Sequence, residues 1–353
     1  MLDLSEYHAF EEIDQLDMYG HIRQLPDQLE GAFRQGMQMS LGHISKPKAV
    51  VIAGMGGSAI GADLLAAYIS DECPLPVVVW RDYDLPAWAN GRDVLVIVSS
   101  HSGNTEESLS AFEAAVAQGC QVMTISTGGK LSQRANQVGA PAWLFDHSGA
   151  PRSAVGHSFG LLAACFSRLG LAQVSEQDIA SAANAMRAQE GEIKKENQPS
   201  HNPAKRLAGQ LIGRWVMVVA SGFLVPVARR WKCQISEVAK AWGQFEFLPE
   251  MDHNTLAGIC NPAPLFSNLM VLFLESQFEH DRNRIRAELT RELMMVEGIG
   301  TDAFRASGDS RLEQLWTALH FGDYTSYYLA MAYRVDPTAI PTIDQLKASM
   351  RDE

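Results

Sequence analysis

Residues 93–108 read Asp-Val-Leu-Val-Ile-Val-Ser-Ser-His-Ser-Gly-Asn-Thr-Glu-Glu-Ser. A run of Val, Leu and Ile stops at a polar turn containing Ser100, Ser102, Gly103, Asn104 and Thr105, and helix formers follow. An apolar run bounded in this way predicts a buried parallel strand, a hydroxyl-rich loop and a helix N-terminus. Hydroxyls and free backbone N–H groups at the positive end of a helix make a socket for an oxyanion, phosphate above all.

Outward from this stretch, the same pattern recurs. Ala49–Ala53 is an apolar strand that opens into Gly54-Met-Gly-Gly-Ser-Ala-Ile-Gly61 and an apolar helix. Val77–Trp80, Val122–Ile125 and Trp143–Phe145 are further short apolar runs separated by helical stretches. This alternation predicts an α/β, doubly wound, flavodoxin-like parallel sheet of about five strands, complete by about residue 170. Before it, Tyr7–Met39 is helical in pattern and serves as packing. A chain of 353 residues exceeds what one core usually organises, so two domains are expected. The boundaries are residues 1–173 for a helical arm plus the first domain, 174–200 for an exposed helix and polar linker, and 201–353 for the second domain. In the second half Trp215–Ala220 leads into Ser221-Gly222 and a helix, Leu269–Leu274 is another strand, and Leu312–Tyr333 is a long helix. The second half thus reads as a diverged copy of the first, with a mainly parallel sheet but no counterpart of the hydroxyl loop.

Composition narrows the function. A net charge of −12 argues against a nucleic-acid partner, so any anion must be drawn by a local site. The N-terminus is acidic and no apolar run reaches membrane-spanning length, which implies a protein of the cytoplasm. Five widely spaced cysteines are expected to be reduced and buried. The histidines form no metal-binding pair on a helix, and Glu279-His280-Asp281 lies in a charged helix, so no metal and no cofactor is expected. The glycine loop keeps one alternative open. Gly54-x-Gly56-x-x-Ala59, with Asp82 after the next strand, also satisfies a relaxed dinucleotide fingerprint. A second oxyanion socket at Ser100–Thr105 is not needed in that fold, and two loops at the carboxyl ends of parallel strands converge on one ligand.

Three stretches, GMGGSAIGAD from Gly54, SSHSGNTEES from Ser99 and GAPRSAVGHSFG from Gly149, resemble the sugar isomerase (SIS) domain. With RWKCQISEVAKAW from Arg230, LPEMDHNTLAG from Leu248 and the C-terminal IDQLKASM, the chain resembles the bifunctional phosphoglucose/phosphomannose isomerases of archaea and bacteria. That resemblance implies two SIS domains, a homodimer and a hexose 6-phosphate substrate. It places the phosphate at Gly56, Gly57 and Ser58 and at Ser100, Ser102 and Thr105. It makes Arg152 the cation that stabilises an enediolate and Glu237 the base that moves a proton between C2 and C1. His253 would assist ring opening, reaching the site from the neighbouring subunit, and Lys347 would lie at the ring oxygen. The chain departs from the family pattern at His101, where an aromatic residue is usual, and at Ser236 and Val238 beside the glutamate. Thr338 is the candidate for deciding whether mannose 6-phosphate is accepted. A sugar-phosphate sensor without catalysis and an NAD(P)-dependent Rossmann dehydrogenase, with Asp82 as its ribose-binding acid, are the alternatives.

Overall fold

The computed structural model describes residues 2–350. Five strands, β1 (Ala49–Ala53), β2 (Val77–Trp80), β3 (Val94–Ser99), β4 (Gln121–Ser126) and β5 (Ala142–Leu144), form the first sheet in the order β2-β1-β3-β4-β5. Every pairing is parallel. This is the flavodoxin-like order, whose switch point falls between β1 and β3. β1 and β3 are buried along their whole length, which is why both read as unbroken apolar runs.

The second sheet comprises β6 (Trp215–Ser221), β7 (Gly243–Leu248), β8 (Leu269–Glu275) and β9 (Gly300–Arg305), in the order β7-β6-β8-β9, again all parallel. It has four strands where about five were expected. The sequence also conceals β7 and β9, because both are edge strands with polar residues such as Gln244, Glu246, Thr301 and Asp302 in the run.

The helices that matter below are α1 (Leu25–Gln38), α2 (Gly56–Tyr68), α3 (Glu106–Ala117), α4 (Gly129–Gln137), α5 (Val155–Arg168), α6 (Glu176–Ile193), α7 (Pro203–Leu211), α8 (Val225–Glu237), α9 (Asp281–Val296), α10 (Arg311–Tyr333) and α11 (Pro341–Ser349). The segment expected as an exposed linker helix is α6, and it is not exposed throughout. A Ser175–Asp178 capping box starts it, and Ile179, Ala182, Ala183, Met186 and Ile193 are buried against α1 and α10. Small alanines on that face hid the packing from the sequence. α10 is buried on nearly every side, so it acts as a shared pillar. One continuous apolar cluster runs from Val50 and Ile97 under the first sheet, through Phe159 and Trp316, to Val218 and Leu272 in the second. The Phe159 and Trp316 rings meet edge to face at 5.1 Å.

Of the cysteines, all five are free; Cys165 is buried but Cys260 is exposed and the other three are half-buried, unlike the uniformly buried set expected. No described helix is long and apolar enough to cross a membrane.

Candidate functional site

The site begins at the switch point of the first sheet. β1 delivers the chain into α2 at Gly56, and β3 delivers it through Ser100–Asn104 into α3, with Thr105 as the N-cap residue. The two turns are tied together: the His101 amide donates to the Ser58 hydroxyl at 2.9 Å. Ser100 is buried and its hydroxyl donates to Thr105 Oγ1 at 3.0 Å, while Ser102 is exposed. Gly103 has φ +65°, and a Cβ there would meet the Gly128 carbonyl at 1.8 Å, so only glycine fits. Asn104 closes the loop by accepting from the Lys130 amide and donating to the Ser102 carbonyl. Two helix N-termini thus lie side by side, joined through the Ser58 hydroxyl and the His101 amide.

Arg152 comes to this socket on a single turn, Pro151–Ser153, that precedes α5. A Cβ on Gly57 would lie 2.6 Å from the Pro151 carbonyl oxygen and 2.9 Å from the Arg152 nitrogen, so the glycine turn and the arginine turn lie in direct contact. The Arg152 side chain is only 2% exposed. Its Nη2 donates to the Pro337 carbonyl at 2.9 Å and to the Thr338 carbonyl, and its Nη1 is 3.7 Å from Glu237 Oε2. Burial pulls the Arg152 pKa down and the Glu237 carboxylate opposes that shift. Glu237 is the last residue of α8, on the second half of the chain. The structure therefore brings together Gly56, Gly57, Ser58, Ser100, Thr105, Arg152, Glu237 and the backbone of Thr338. The Thr338 hydroxyl is buried without a partner.

His253 is not brought to this cluster within its own chain, whereas Lys347 lies on the helix whose Asp344 is near enough for its charge to act on Arg152. Both are exposed. His253 ends a short turn, Glu250–His253, beyond the far end of β7, whereas Glu237 precedes the near end. Six residues of strand at ~3.3 Å each put roughly 20 Å between those ends. Lys347 lies on α11, none of whose residues is buried. Asp82, the candidate ribose ligand of a dehydrogenase, accepts instead from the adjacent Tyr83 amide in an exposed loop.

Three features escaped the sequence. Lys240 donates to the Glu237 carbonyl at 2.7 Å, and its pKa is pushed down to about 8 by burial and by the Arg152 cation, against Asp336 and Glu237. Arg230 donates to the Arg152 carbonyl at 2.7 Å from within a buried pair with Asp323. His101 joins an imidazole cluster: its Nε2 is 2.9 Å from His147 Nδ1, and the ring of His147 is 5.6 Å from His157 and 5.3 Å from His21. With Gln28 and Thr127, the histidines His21, His147 and His157 line a cavity of about 550 Å³. Among the described residues no three of His, Cys, Asp and Glu converge as metal ligands.

Comparison with known proteins gives a consistent picture. Residues 200–350 match the bacterial phospho-glucose isomerase C-terminal SIS domain. The chain is 35% identical over 337 residues to a bifunctional phosphoglucose/phosphomannose isomerase of Caldicellulosiruptor bescii, covering 95% of this chain and 99% of that one. It is 31% identical to the protein of the same description from Thermoplasma acidophilum, covering 92% and 95%. Among solved structures, a glucose-6-phosphate isomerase like protein from Thermus thermophilus superposes with a TM-score of 0.65 at 18% identity, covering 96% of this chain and 99% of that one. A tagatose-6-phosphate ketose/aldose isomerase from Escherichia coli does so with 0.67 at 16% identity, covering 91% and 94%. These two show the fold.

The histidine cluster carries a stability prediction. Burial and the neighbouring imidazoles lower His147 and His157 to about 4, from 6.5. The unfolded chain then binds more protons than the folded one between those values, so stability present above pH 6.5 is lost as the pH falls toward 4. His320, buried in α10 and also near 4, adds a contribution of the same sign. Thermal midpoints measured from pH 7 to pH 4 should fall, and the slope should be shallower in His147→Gln/His157→Gln. An unchanged slope would show that the cluster is not held neutral by the fold.

Proposed function

The chain belongs to the bifunctional phosphoglucose/phosphomannose isomerase family, and from that premise we propose that it interconverts glucose 6-phosphate, and mannose 6-phosphate, with fructose 6-phosphate without a metal. The observation that carries this reading is the Arg152–Glu237 pair lying against the glycine turn of the oxyanion socket. Gly56, Gly57, Ser58, Ser100, Ser102 and Thr105 hold the phosphate with neutral donors and two helix ends. Glu237 takes the C2 proton of the open-chain sugar and returns it to C1. The negative charge that develops on the enediolate meets Arg152, whose guanidinium stays protonated throughout. Lys240 adds a second positive charge to the same region. Thr338, with its unpartnered hydroxyl, is suited to sensing the C2 epimer.

Ring opening falls to His253, with Lys347 at the ring oxygen. Because β7 separates His253 from the Glu237 of its own chain, we assign it to the site of a second copy, so that a homodimer is the active unit. A surface beside His253 supports this. Asp252 is held to α9 by Arg286 at 3.0 Å and Thr290 at 2.9 Å, and α9 exposes Ile285, Leu289, Leu293 and Val296 at helical spacing.

Three measurements test these assignments. Fructose 6-phosphate turnover should survive excess chelator and fall by about 10²–10⁴-fold in Glu237→Gln, the range of a lost general base; a wild-type protein that binds hexose phosphate tightly without turnover would instead favour a sensor. If His253 acts across the interface, mixing inactive Glu237→Gln and His253→Gln dimers should restore about a quarter of wild-type activity, since half the reassorted dimers hold one intact site of two. No recovery after verified subunit exchange would place both groups in one chain. As for Lys240, its charge is present below about pH 8 and lost above it. The wild-type kcat should decline above that pH, and Lys240→Met should have a lower plateau without that limb.

A further inference from the structure

Arg230 and Glu237 stand seven residues apart on α8, two helical turns, and so share one face. Both act on Arg152, at different ends. Glu237 faces the guanidinium, while Arg230 Nη2 donates to the main-chain carbonyl of the same residue at 2.7 Å. Arg230 is itself fixed by a two-point pair with Asp323 of α10, Nε to Oδ1 at 3.0 Å and Nη2 to Oδ2 at 2.8 Å. Both side chains of that pair are 2% exposed.

A buried ion pair is a poor device for stability alone. Taking two charges out of water costs about as much as their attraction returns, and apolar replacements of similar volume are commonly neutral or stabilising. What this pair does that a Met and a Leu cannot is present a rigid donor fork to the turn that carries Arg152. From the other side that turn is blocked by Gly57, and its side chain is held by the Pro337 and Thr338 carbonyls. With the backbone pinned by Arg230 and Nη2 occupied, Nη1 stands 3.7 Å from Glu237.

We propose that Arg230, locked by Asp323, is a positioning residue for the isomerisation: it fixes the Pro151–Ser153 turn so that the Arg152 guanidinium meets the enediolate at the place where Glu237 moves the proton. This rests on the isomerase reading above. The role is geometric, and displacement of a stabilising group by about 1 Å costs on the order of 100-fold.

The test is the paired apolar variant Arg230→Met/Asp323→Leu, which removes both charges together. It should keep the wild-type thermal midpoint or exceed it, lose about 100-fold in kcat and hold KM within about threefold, because the phosphate socket is untouched. In an Arg152→Ala background, where no side-chain charge is left to position, the same pair of changes should cost nothing further, since Arg230 acts only through Arg152. Wild-type kcat in the folded variant, or losses that multiply in the combined one, would overturn the proposal. Should the paired variant fail to fold, Arg230→Lys keeps the charge opposite Asp323 but loses the fork; kcat should drop about tenfold, and an unchanged kcat overturns the proposal equally. A wild-type protein without turnover would refute the isomerase reading, and the positioning role is then read from binding. A five-carbon phospho-hydroxamate that mimics the enediolate should bind the wild type at least about tenfold more tightly than the paired variant, with sorbitol 6-phosphate bound equally by both. Equal hydroxamate affinities would end the proposal.

Discussion

Arg152 brings a permanent positive charge into an interior where it is only 2% exposed, and the way the two halves of the chain meet is governed by satisfying it. A buried cation with too few partners costs several kcal/mol, so its surroundings must supply acceptors in good geometry. They come from separate parts of the sequence: the carbonyls of Pro337 and Thr338 and the carboxylate of Glu237. The Arg152 Nε remains buried without a partner. An arginine under-satisfied by its own protein has capacity for a ligand oxygen, which is what distinguishes a functional cation from a structural one. Arg230, with Asp323 filling its fork, is the structural contrast a few ångströms away.

The same junction is reinforced outside the site. Asp63 on α2 accepts from Arg81 and, at 3.0 Å, from Arg229 on α8; Arg311 at the start of α10 reaches Asp71 at 2.5 Å. These pairs are partly exposed, so each contributes little by itself. Their importance lies in register. Arg229 and Arg230 are adjacent on α8, one pairing with Asp63 and the other donating to the Arg152 carbonyl, so any slide of α8 along the first half breaks both contacts at once.

Much of this was legible in the sequence, and what was not follows a physical rule. Central strands β1, β3, β6 and β8 are buried on both faces and must be apolar throughout, so their runs stand out. The edge strands β7 and β9 need only one covered face, and GQFEFL and GTDAFR carry no clear signal. The glycine and hydroxyl loops were legible as strand-to-helix turns because each is built locally, from glycines and hydroxyls within a few residues. Arg152 and Glu237 were reached only through resemblance, since a buried pair spanning two domains leaves no periodic trace. Arg230 and Asp323 are 93 residues apart and were missed entirely. One signal was available: Asp323 is an acid in the middle of an otherwise largely apolar helix, and an acid so placed requires a buried cation.

The proposed oxyanion socket raises a last question, because on that proposal a chain with net charge −12 would hold a dianion against its own field. Lysines in the loop would be the direct answer, but the loop has none. Backbone N–H groups, hydroxyls and two helix ends are fixed dipoles, and they lose no conformational freedom when the ligand arrives. Their weakness is that each must be aimed correctly, so the loop has to be rigid. The imidazole cluster meets that need. His101 makes ring contact with Phe145 at 5.9 Å and a hydrogen bond to His147 at 2.9 Å. His101, His147 and His157 are all pushed toward the neutral form by burial, so they can brace the loop without adding titrating charge beside the phosphate near neutral pH. On the proposed reading, local rigidity takes the place of net charge at the anion site of an acidic protein.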